Sequence, residues 1–475
     1  MKLPNIVEAR SRDKREYKTI NYNIDDKYVD KYKGKKLYIK TYGCQMNERD
    51  SETIIGILGI MGISKVDNYR DADICILNTC SIRENANNKA FGMLGRLKYY
   101  KEQERPDLVI GICGCMVQEE EVATNLANNY KFVDLVFGTH NIEDVLKLVD
   151  NVFTNRERNI EVYSRESDLV EGLPVIRSSK YKAYVNIIYG CDKFCTYCIV
   201  PYTRGRERSR SKDDILEEVK LLIKDGYKEI TLLGQNVNAY GKDLYDDYNL
   251  GNLLEDIAKL NIPRVRFMTS HPWDFTYNMI SVIKKYDNIM PSIHLPLQSG
   301  SNKILRLMGR RYTKESYLEL FNKIKNTKKN MCISTDIIVG FPGEDEEDFL
   351  ETLDIIKSCR YDNVFSFIFS ARRGTPACRL KNIVDDDIKE DRLQRLNDIV
   401  NTIFREKNEE LRGVILPVLV EGVNDKKNMY YGYSDTNKLI NFTSDSDISV
   451  GDIVDVKIVD PKTWSLDGKR VEWYN

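Results

Sequence analysis

Gly190-Cys191-Asp192-Lys193-Phe194-Cys195-Thr196-Tyr197-Cys198 places three cysteines at Cys-x3-Cys-x2-Cys spacing, in the loop after the apolar run at residues 183–188. Three close thiolates can hold three corners of a [4Fe-4S] cube and leave its fourth iron open to a small ligand. Electron-carrier clusters are instead normally closed by four cysteines. Structural zinc is the plainer reading, but it needs a fourth ligand that this neighbourhood does not supply. The loop position therefore suggests a reactive iron-sulfur site at the mouth of an α/β unit.

Working outward, strands are expected at residues 183–188, 229–233, 265–268, 292–295, 334–339 and 364–369, with amphipathic stretches between most of them. Six strands with crossover helices predict a central open (β/α)6 barrel. Ser211, with Asp214 three residues on, predicts a capped helix running to about Lys224. Leu393, Leu396, Ile399, Ile403 and Phe404 share one face of a helix over about 387–410. Beyond Gly413, apolar runs at 418–420, 439–442 and 453–459, separated by turn residues, predict a small C-terminal β-barrel.

On the N-terminal side, strands are expected at 37–41, 74–77, 108–112 and 134–137, forming a doubly wound parallel sheet. The first three are each followed within three residues by a cysteine: Cys44, Cys80 and Cys115. Loops leaving the carboxyl ends of adjacent parallel strands lie side by side, so these thiols are expected to converge. Cys113 competes with Cys115 at its strand end, whereas Cys75, Cys332, Cys359 and Cys378 fit no ligand pattern and read as structural. The whole reads as an α/β chain divided as 1–36, a basic extension; 37–150, the N-terminal domain; 151–180, a linker or peripheral hairpin; 181–407, the barrel; and 408–475, the β-barrel.

The 475 residues exceed one typical domain of about 150 roughly threefold. Apolar residues at 42% and charged residues at 31% are ordinary for a globular protein and argue against disordered and coiled-coil classes. No stretch approaches membrane-spanning length and the first residues are charged, so a cytoplasmic protein with no membrane partner is expected. Lys and Arg number 72 against 73 Asp and Glu, leaving no global field for a polyanion. The segment 1–36 holds 11 basic and 6 acidic residues, and reads either as a local polyanion patch or as a solvated arm. None of the Gly-Lys pairs is followed by Ser or Thr, so no P-loop can be written. His140, His271 and His294 are far apart in sequence and read as structural.

The cysteine loop at 190–198 and the barrel pattern resemble the radical S-adenosylmethionine (SAM) superfamily. That resemblance implies that the amine and carboxylate of SAM chelate the open iron, and that one electron cleaves SAM to a 5′-deoxyadenosyl radical. It places Tyr197 against the adenine, and Gln235, Asn236, Asp336 and Gly340 among the SAM contacts at strand ends. Taken alone, Gly340 and Gly343 read as an ordinary strand-to-helix turn.

Thr41-Tyr42-Gly43-Cys44-Gln45-Met46-Asn47, Asn78-Thr79-Cys80-Ser81-Ile82-Arg83-Glu84-Asn85-Ala86 and Gly114-Cys115-Met116-Val117-Gln118 resemble the N-terminal domain of the methylthiotransferases. In that family the three cysteines hold a second [4Fe-4S] cluster with one iron unclaimed by protein. The resemblance covers nearly everything after residue 36 and makes the C-terminal barrel similar to the TRAM RNA-binding module. The words around the first two cysteines are closest to the branch that converts N6-(dimethylallyl)adenosine, 3′ of the anticodon in tRNA, to its 2-methylthio form. Relatives acting on a ribosomal-protein aspartate or on threonylcarbamoyladenosine are the alternative within the class. An iron-sulfur RNA-binding sensor without catalysis is the alternative outside it.

An aromatic C2–H is not a bond that a side-chain acid or base can polarise well, which is why radical chemistry suits this substrate. The resemblance implies that SAM is both methyl donor and radical source. Cys191, Cys195 and Cys198 would then generate the radical, while Cys44, Cys80 and Cys115 hold the sulfur donor, the two trios facing the same base. It also implies an electron donor such as flavodoxin or ferredoxin. Arg204, Arg206, Arg208 and Arg210 share one face if extended, a row suited to phosphates beside a flipped base or, equally, to pairing with acids. One of them is an alternative contact for the SAM carboxylate, and Arg310 and Arg311 are secondary RNA candidates. From Leu411 onward the charge is 8 basic against 10 acidic, unusual for an RNA grip. Tyr430, Tyr431, Tyr433, Phe442 and Trp464 are expected mainly as barrel core.

Overall fold

A computed structural model describes all residues except Arg12, Lys14, Arg15, Ile82, Arg83, 425–428 and 473–475. It divides into two compact units. One comprises Met1–Ser178, Ile188–Phe194 and Cys198–Arg210; the other comprises Ser179–Ile187, Cys195–Tyr197 and Ser211–Asn475.

The first unit is built on a six-stranded parallel sheet in the order Ser64–Lys65, Lys36–Tyr42, Ile74–Thr79, Val109–Gly114, Leu135–Phe137, Asn159–Glu161. Every residue of Ile74–Thr79 and Val109–Gly114 is buried, the pattern of central strands covered on both faces. Ile54, Ile57 and Leu58 of the helix Gln45–Ile60 pack on one face with Val145, Leu148 and Val149 of the helix Val145–Asn155. Leu94 and Leu97 of Glu84–Gln103 and Leu126 of Glu120–Asn129 cover the other. The expected doubly wound sheet is therefore present, with two edge strands that the apolar pattern did not reveal.

Two sequence expectations are corrected. Residues 151–180 are not a linker: Asn159–Glu161 closes the sheet edge, and Leu169–Glu171 pairs in parallel with Thr19–Asn21. Further on, the Ser178 amide and hydroxyl both donate to the Glu52 carboxylate, at 2.8 and 2.7 Å. Nor is the described part of the extension a free arm, since Lys2 also bridges to Glu161. Short polar strands such as these take their pairing from partners in other elements, Thr19–Asn21 from a strand 150 residues on, which local patterning does not record.

The second unit contains the six expected barrel strands, all parallel where they pair. They form two groups of three, Lys182–Asn186 with Glu229–Leu233 and Arg264–Phe267, and Ser292–His294 with Cys332–Val339 and Asn363–Ile368. A bridge between Val265 and Ile289 links the third strand to the segment before the fourth. Ser211 caps the helix Lys212–Lys224, its hydroxyl accepting from the Asp214 amide at 3.2 Å. The helix Asp386–Glu409 leads to a closed barrel in the order Ile415–Asn424, Met429–Ser434, Leu439–Thr443, Leu466–Arg470, Ile453–Pro461. Phe442 is in its core, with Tyr430 stacked on it at 5.7 Å, whereas Trp464 is 67% exposed.

This β-barrel seats on the strand beginnings of the half-barrel. Buried Arg264 donates to the carbonyls of Tyr433 and Pro417 at 3.0 and 2.9 Å. Buried Arg266 donates to the carbonyls of Ser434 and Asp435 at 2.7 and 2.9 Å and pairs with Glu229 at 2.9 Å. Lys182 adds a 2.7 Å pair with Glu421. The carboxyl ends of the half-barrel strands, opposite this seat, are where a parallel α/β unit binds ligands.

Candidate active site

The register of the first unit explains how its cysteines meet. Tyr42 pairs with Thr79, and Thr79 with Gly114, so three adjacent strands end level with one another. Cys80 and Cys115 follow immediately, and Cys44 two residues beyond Tyr42. Gly114 has φ +98°, and a Cβ there would fall 2.3 Å from the Thr79 carbonyl oxygen. Only glycine lets the chain turn into Cys115 at that spot.

Residues of the flanking words lock the turns. The Asn47 amide donates to Asn78 Oδ1 at 3.1 Å and to the Thr79 carbonyl at 3.2 Å. Asn78 answers by donating to the Asn47 carbonyl at 2.8 Å and to Ser51 Oγ at 3.0 Å. Thr79 Oγ1 donates to the Cys113 carbonyl at 2.7 Å, and the Cys80 amide to the Tyr42 carbonyl at 3.0 Å. Ile82 and Arg83 of the second word lie outside the described residues.

Cys44 and Cys80 are close enough to share a hydrogen bond, which, with Arg204 nearby, pulls the Cys44 thiol down to about 6 despite burial. Burial raises the Cys115 thiol, opposed by Arg204, while Cys44 and Asp50 raise it further. Arg204 donates Nε–H to Cys115 Sγ at 3.0 Å and pairs with Asp50 at 2.7 Å, both charges almost fully buried. Among the described residues, the buried hydroxyl of Ser81, next to Cys80, has no hydrogen-bond partner. Three thiols, one poised as thiolate, beside a buried cation and an orphaned hydroxyl fit an anionic iron-sulfur cluster. Cys113 instead packs in the apolar core, where burial drives its thiol well up; Cys115 is the better ligand.

The second cysteine loop is pinned on both flanks. In the first unit, Ile188 and Tyr189 pair with Ser209 and Arg208, and the Cys191 amide donates to the Gly205 carbonyl at 3.1 Å. Gly190 has φ +76°, and a Cβ would meet the Arg206 carbonyl oxygen at 2.0 Å. In the second unit, Thr196 donates to Met308 and Leu307 carbonyls at 2.9 and 2.7 Å, and Arg310 Nη1 lies 3.5 Å from Cys195 Sγ. Cys191 and Cys195 are buried and Cys198 is half-buried.

Tyr197 stands edge-on to Phe341, ring centroids 6.4 Å apart. Gln235 is half-buried, while Asn236 is buried and donates to Asp274 at 2.7 Å. Asp336 faces His294 Nε2 at 3.3 Å, and His294 Nδ1 meets Ser334 Oγ at 2.9 Å. Gly340, with φ +70°, donates its amide to Glu344 at 2.7 Å.

The arginine row is corrected by the structure. Arg204 ends the short helix Val200–Thr203 and only Arg208–Ser209 is strand, so the four do not form one extended face. Arg204 binds Asp50 and Cys115, Arg206 binds Asp192 at 2.6 Å, Arg208 donates to the Ser167 carbonyl at 2.6 Å, and Arg210 makes two 2.7 Å bonds to Glu171. Internal pairing, not a phosphate row, is what these residues do. Arg310 is likewise buried, bonded to His271 Nε2 at 2.6 Å and to the Pro296 carbonyl at 3.0 Å; Arg311 stays exposed over Trp273. Asp50 and Arg204 in their present role had no sequence signal, because they lie 154 positions apart.

Comparison with known proteins adds the class. Residues 185–356 match the Radical SAM superfamily, 36–138 the uncharacterized protein family UPF0004, and 409–471 the TRAM domain. The chain is 50% identical over 472 residues to tRNA-2-methylthio-N(6)-dimethylallyladenosine synthase of Staphylococcus epidermidis, spanning 99% of this chain and 91% of that one. It is 49% identical over 474 residues to the synthase of the same name from Bacillus subtilis, spanning 98% and 92%. The chain belongs to the tRNA-2-methylthio-N(6)-dimethylallyladenosine synthase family. Among solved structures, the radical S-adenosylmethionine methyltransferase TsrM of Kitasatospora setae aligns at TM-score 0.53 and 13% identity over 81% of this chain and 80% of that one, a likeness of fold.

Proposed function

We propose that this chain transfers a methylthio group to C2 of N6-(dimethylallyl)adenosine in tRNA, beside the anticodon on its 3′ side, with SAM as methyl donor and radical source. The observation that carries the reading is the meeting of Cys44, Cys80 and Cys115 at three level strand ends, in a chain that also has the radical SAM loop. Cys44, Cys80 and Cys115 would hold one [4Fe-4S] cluster and Cys191, Cys195 and Cys198 another. Loaded, the two groups supply the electron that cleaves SAM and the place where the transferred sulfur is held.

The chain's own residues do the positioning. Asn47 and Asn78 fix two of the cysteine turns against each other. Arg310 holds Cys195 from the barrel side. Tyr197, Gln235, Asn236, Asp336 and Gly340 are the proposed SAM neighbours, beside the cysteine loop, just past strand ends or, for Asp336, within the strand Cys332–Val339. The C-terminal barrel supplies RNA contact, an external flavodoxin or ferredoxin supplies electrons, and the site of action is the cytoplasm. Among the described residues no helix is long and apolar enough to cross a membrane.

The test is methylthio incorporation from labelled SAM, with a strong reductant and reconstituted protein, into three acceptors: dimethylallylated tRNA, threonylcarbamoylated tRNA and a ribosomal-protein aspartate. Product in the first alone is expected. SAM cleavage without product in any of them would overturn the assignment.

A further inference from the structure

We infer that Arg204 and Asp50 form a charge device that sets the reduction potential of the group held by Cys44, Cys80 and Cys115. The inference rests on the proposed cluster at that trio and deepens it. Arg204 directs Nε–H at Cys115 Sγ from 3.0 Å, while its Nη2 lies 2.7 Å from Asp50 Oδ2. The Arg204 and Asp50 side chains are 4% and 6% exposed. Arg204 is the cation that favours the thiolate of both Cys44 and Cys115.

A buried guanidinium is costly to desolvate and is kept where its charge has work to do. Asp50 pairs with the Nη2 group of the guanidinium, which leaves the Nε–H to the Cys115 sulfur. An N–H···S bond and a nearby cation both favour the more negative, reduced state of an iron-sulfur group, and so raise its potential. Arg204 is thus a positioning residue acting through Cys115. It also lies six residues after Cys198, so one short segment carries a ligand of one trio and touches a ligand of the other.

The experiment is a redox titration followed by electron paramagnetic resonance on full-length protein in a C191A/C195A/C198A background, so that one cluster contributes. Arg204→Gln is expected to move the midpoint negative by at least a tenfold change in the oxidised-to-reduced ratio, 59 mV for one electron. Asp50→Asn is expected to move it positive. Shifts of opposite sign support the inference, whereas shifts of the same sign, or none, overturn it, because a purely structural role predicts no sign reversal. Should R204Q fail to fold, Arg204→Lys and D50N decide: a rise for D50N with the smaller change in R204K supports the device, and any other pattern rejects it. If the background protein with Arg204 intact binds no cluster, the cluster assignment itself has failed, and the inference with it.

Discussion

Arg266 Nη2 donates to the carbonyl oxygen of Ser434 at 2.7 Å, joining the third strand of the half-barrel to the C-terminal barrel. The same guanidinium reaches the Asp435 carbonyl and the Glu229 carboxylate at 2.9 Å each. Arg266→Ala leaves the Glu229 carboxylate to Arg264 at 3.6 Å and takes one donor from each of two carbonyls. The expected cost is about 3 kcal/mol or more in urea unfolding, together with faster proteolysis within 411–472. Equal stability and an unchanged cleavage pattern would contradict the seat described here.

Gly114→Ala tests the turn into Cys115. A methyl group there meets the Thr79 carbonyl at 2.3 Å in a positive-φ conformation that alanine resists. A destabilisation of about 1–3 kcal/mol is expected, with reconstituted protein retaining about half its iron, because only one of the proposed clusters is disturbed. Full iron content would argue that Cys115 is not a ligand.

Glu344 is expected to make stability depend on pH. Burial is the main cause that pushes its carboxyl up to about 7, and the Gly340 amide and Arg392 offset it only in part. The folded chain therefore keeps a proton that the unfolded chain releases near 4.5. Its contribution is intact below that value and is lost as pH rises through about 7. Relative to Glu344→Gln, the wild type should lose up to about 3 kcal/mol across this window. Parallel stability curves for the two proteins would refute the shift.

Phe365 and Phe367 address substrate choice. They alternate with Val364 and Ser366, and Ser366 faces Asn397 of the long helix, so the two rings lie on the face away from that helix. Each is 43% exposed, with Asp336 and Ile338 as strand neighbours. Exposed phenyl rings there suit an apolar dimethylallyl group. Phe367→Ala should lower kcat/KM for dimethylallylated tRNA about tenfold, while SAM cleavage in the absence of tRNA is unchanged. Loss of SAM cleavage would mean the rings serve the cofactor instead.

The parts of this molecule legible in sequence were those with local signals. Cysteine spacing, the buried runs at 74–79 and 109–114, the Ser211 cap and the helix Asp386–Glu409 all depend on neighbours within one element. Alternation at 204–210 left a phosphate row and pairing with acids equally open on one extended face; there is no such face, and Asp50, Glu171 and Ser167 each claim a different arginine from far along the chain. The sheet edge at Asn159–Glu161 was missed for the same reason: its three residues carry no apolar run, and the pairing comes from Leu135–Phe137.

Arg264 and Arg266 grip their neighbour entirely through main-chain oxygens at 417 and 433–435. Peptide oxygens are supplied by any amino acid, so the grip is indifferent to the identity of the residues it holds. The C-terminal barrel can consequently drift in composition, even toward net negative charge, and still be held in a constant orientation on the half-barrel.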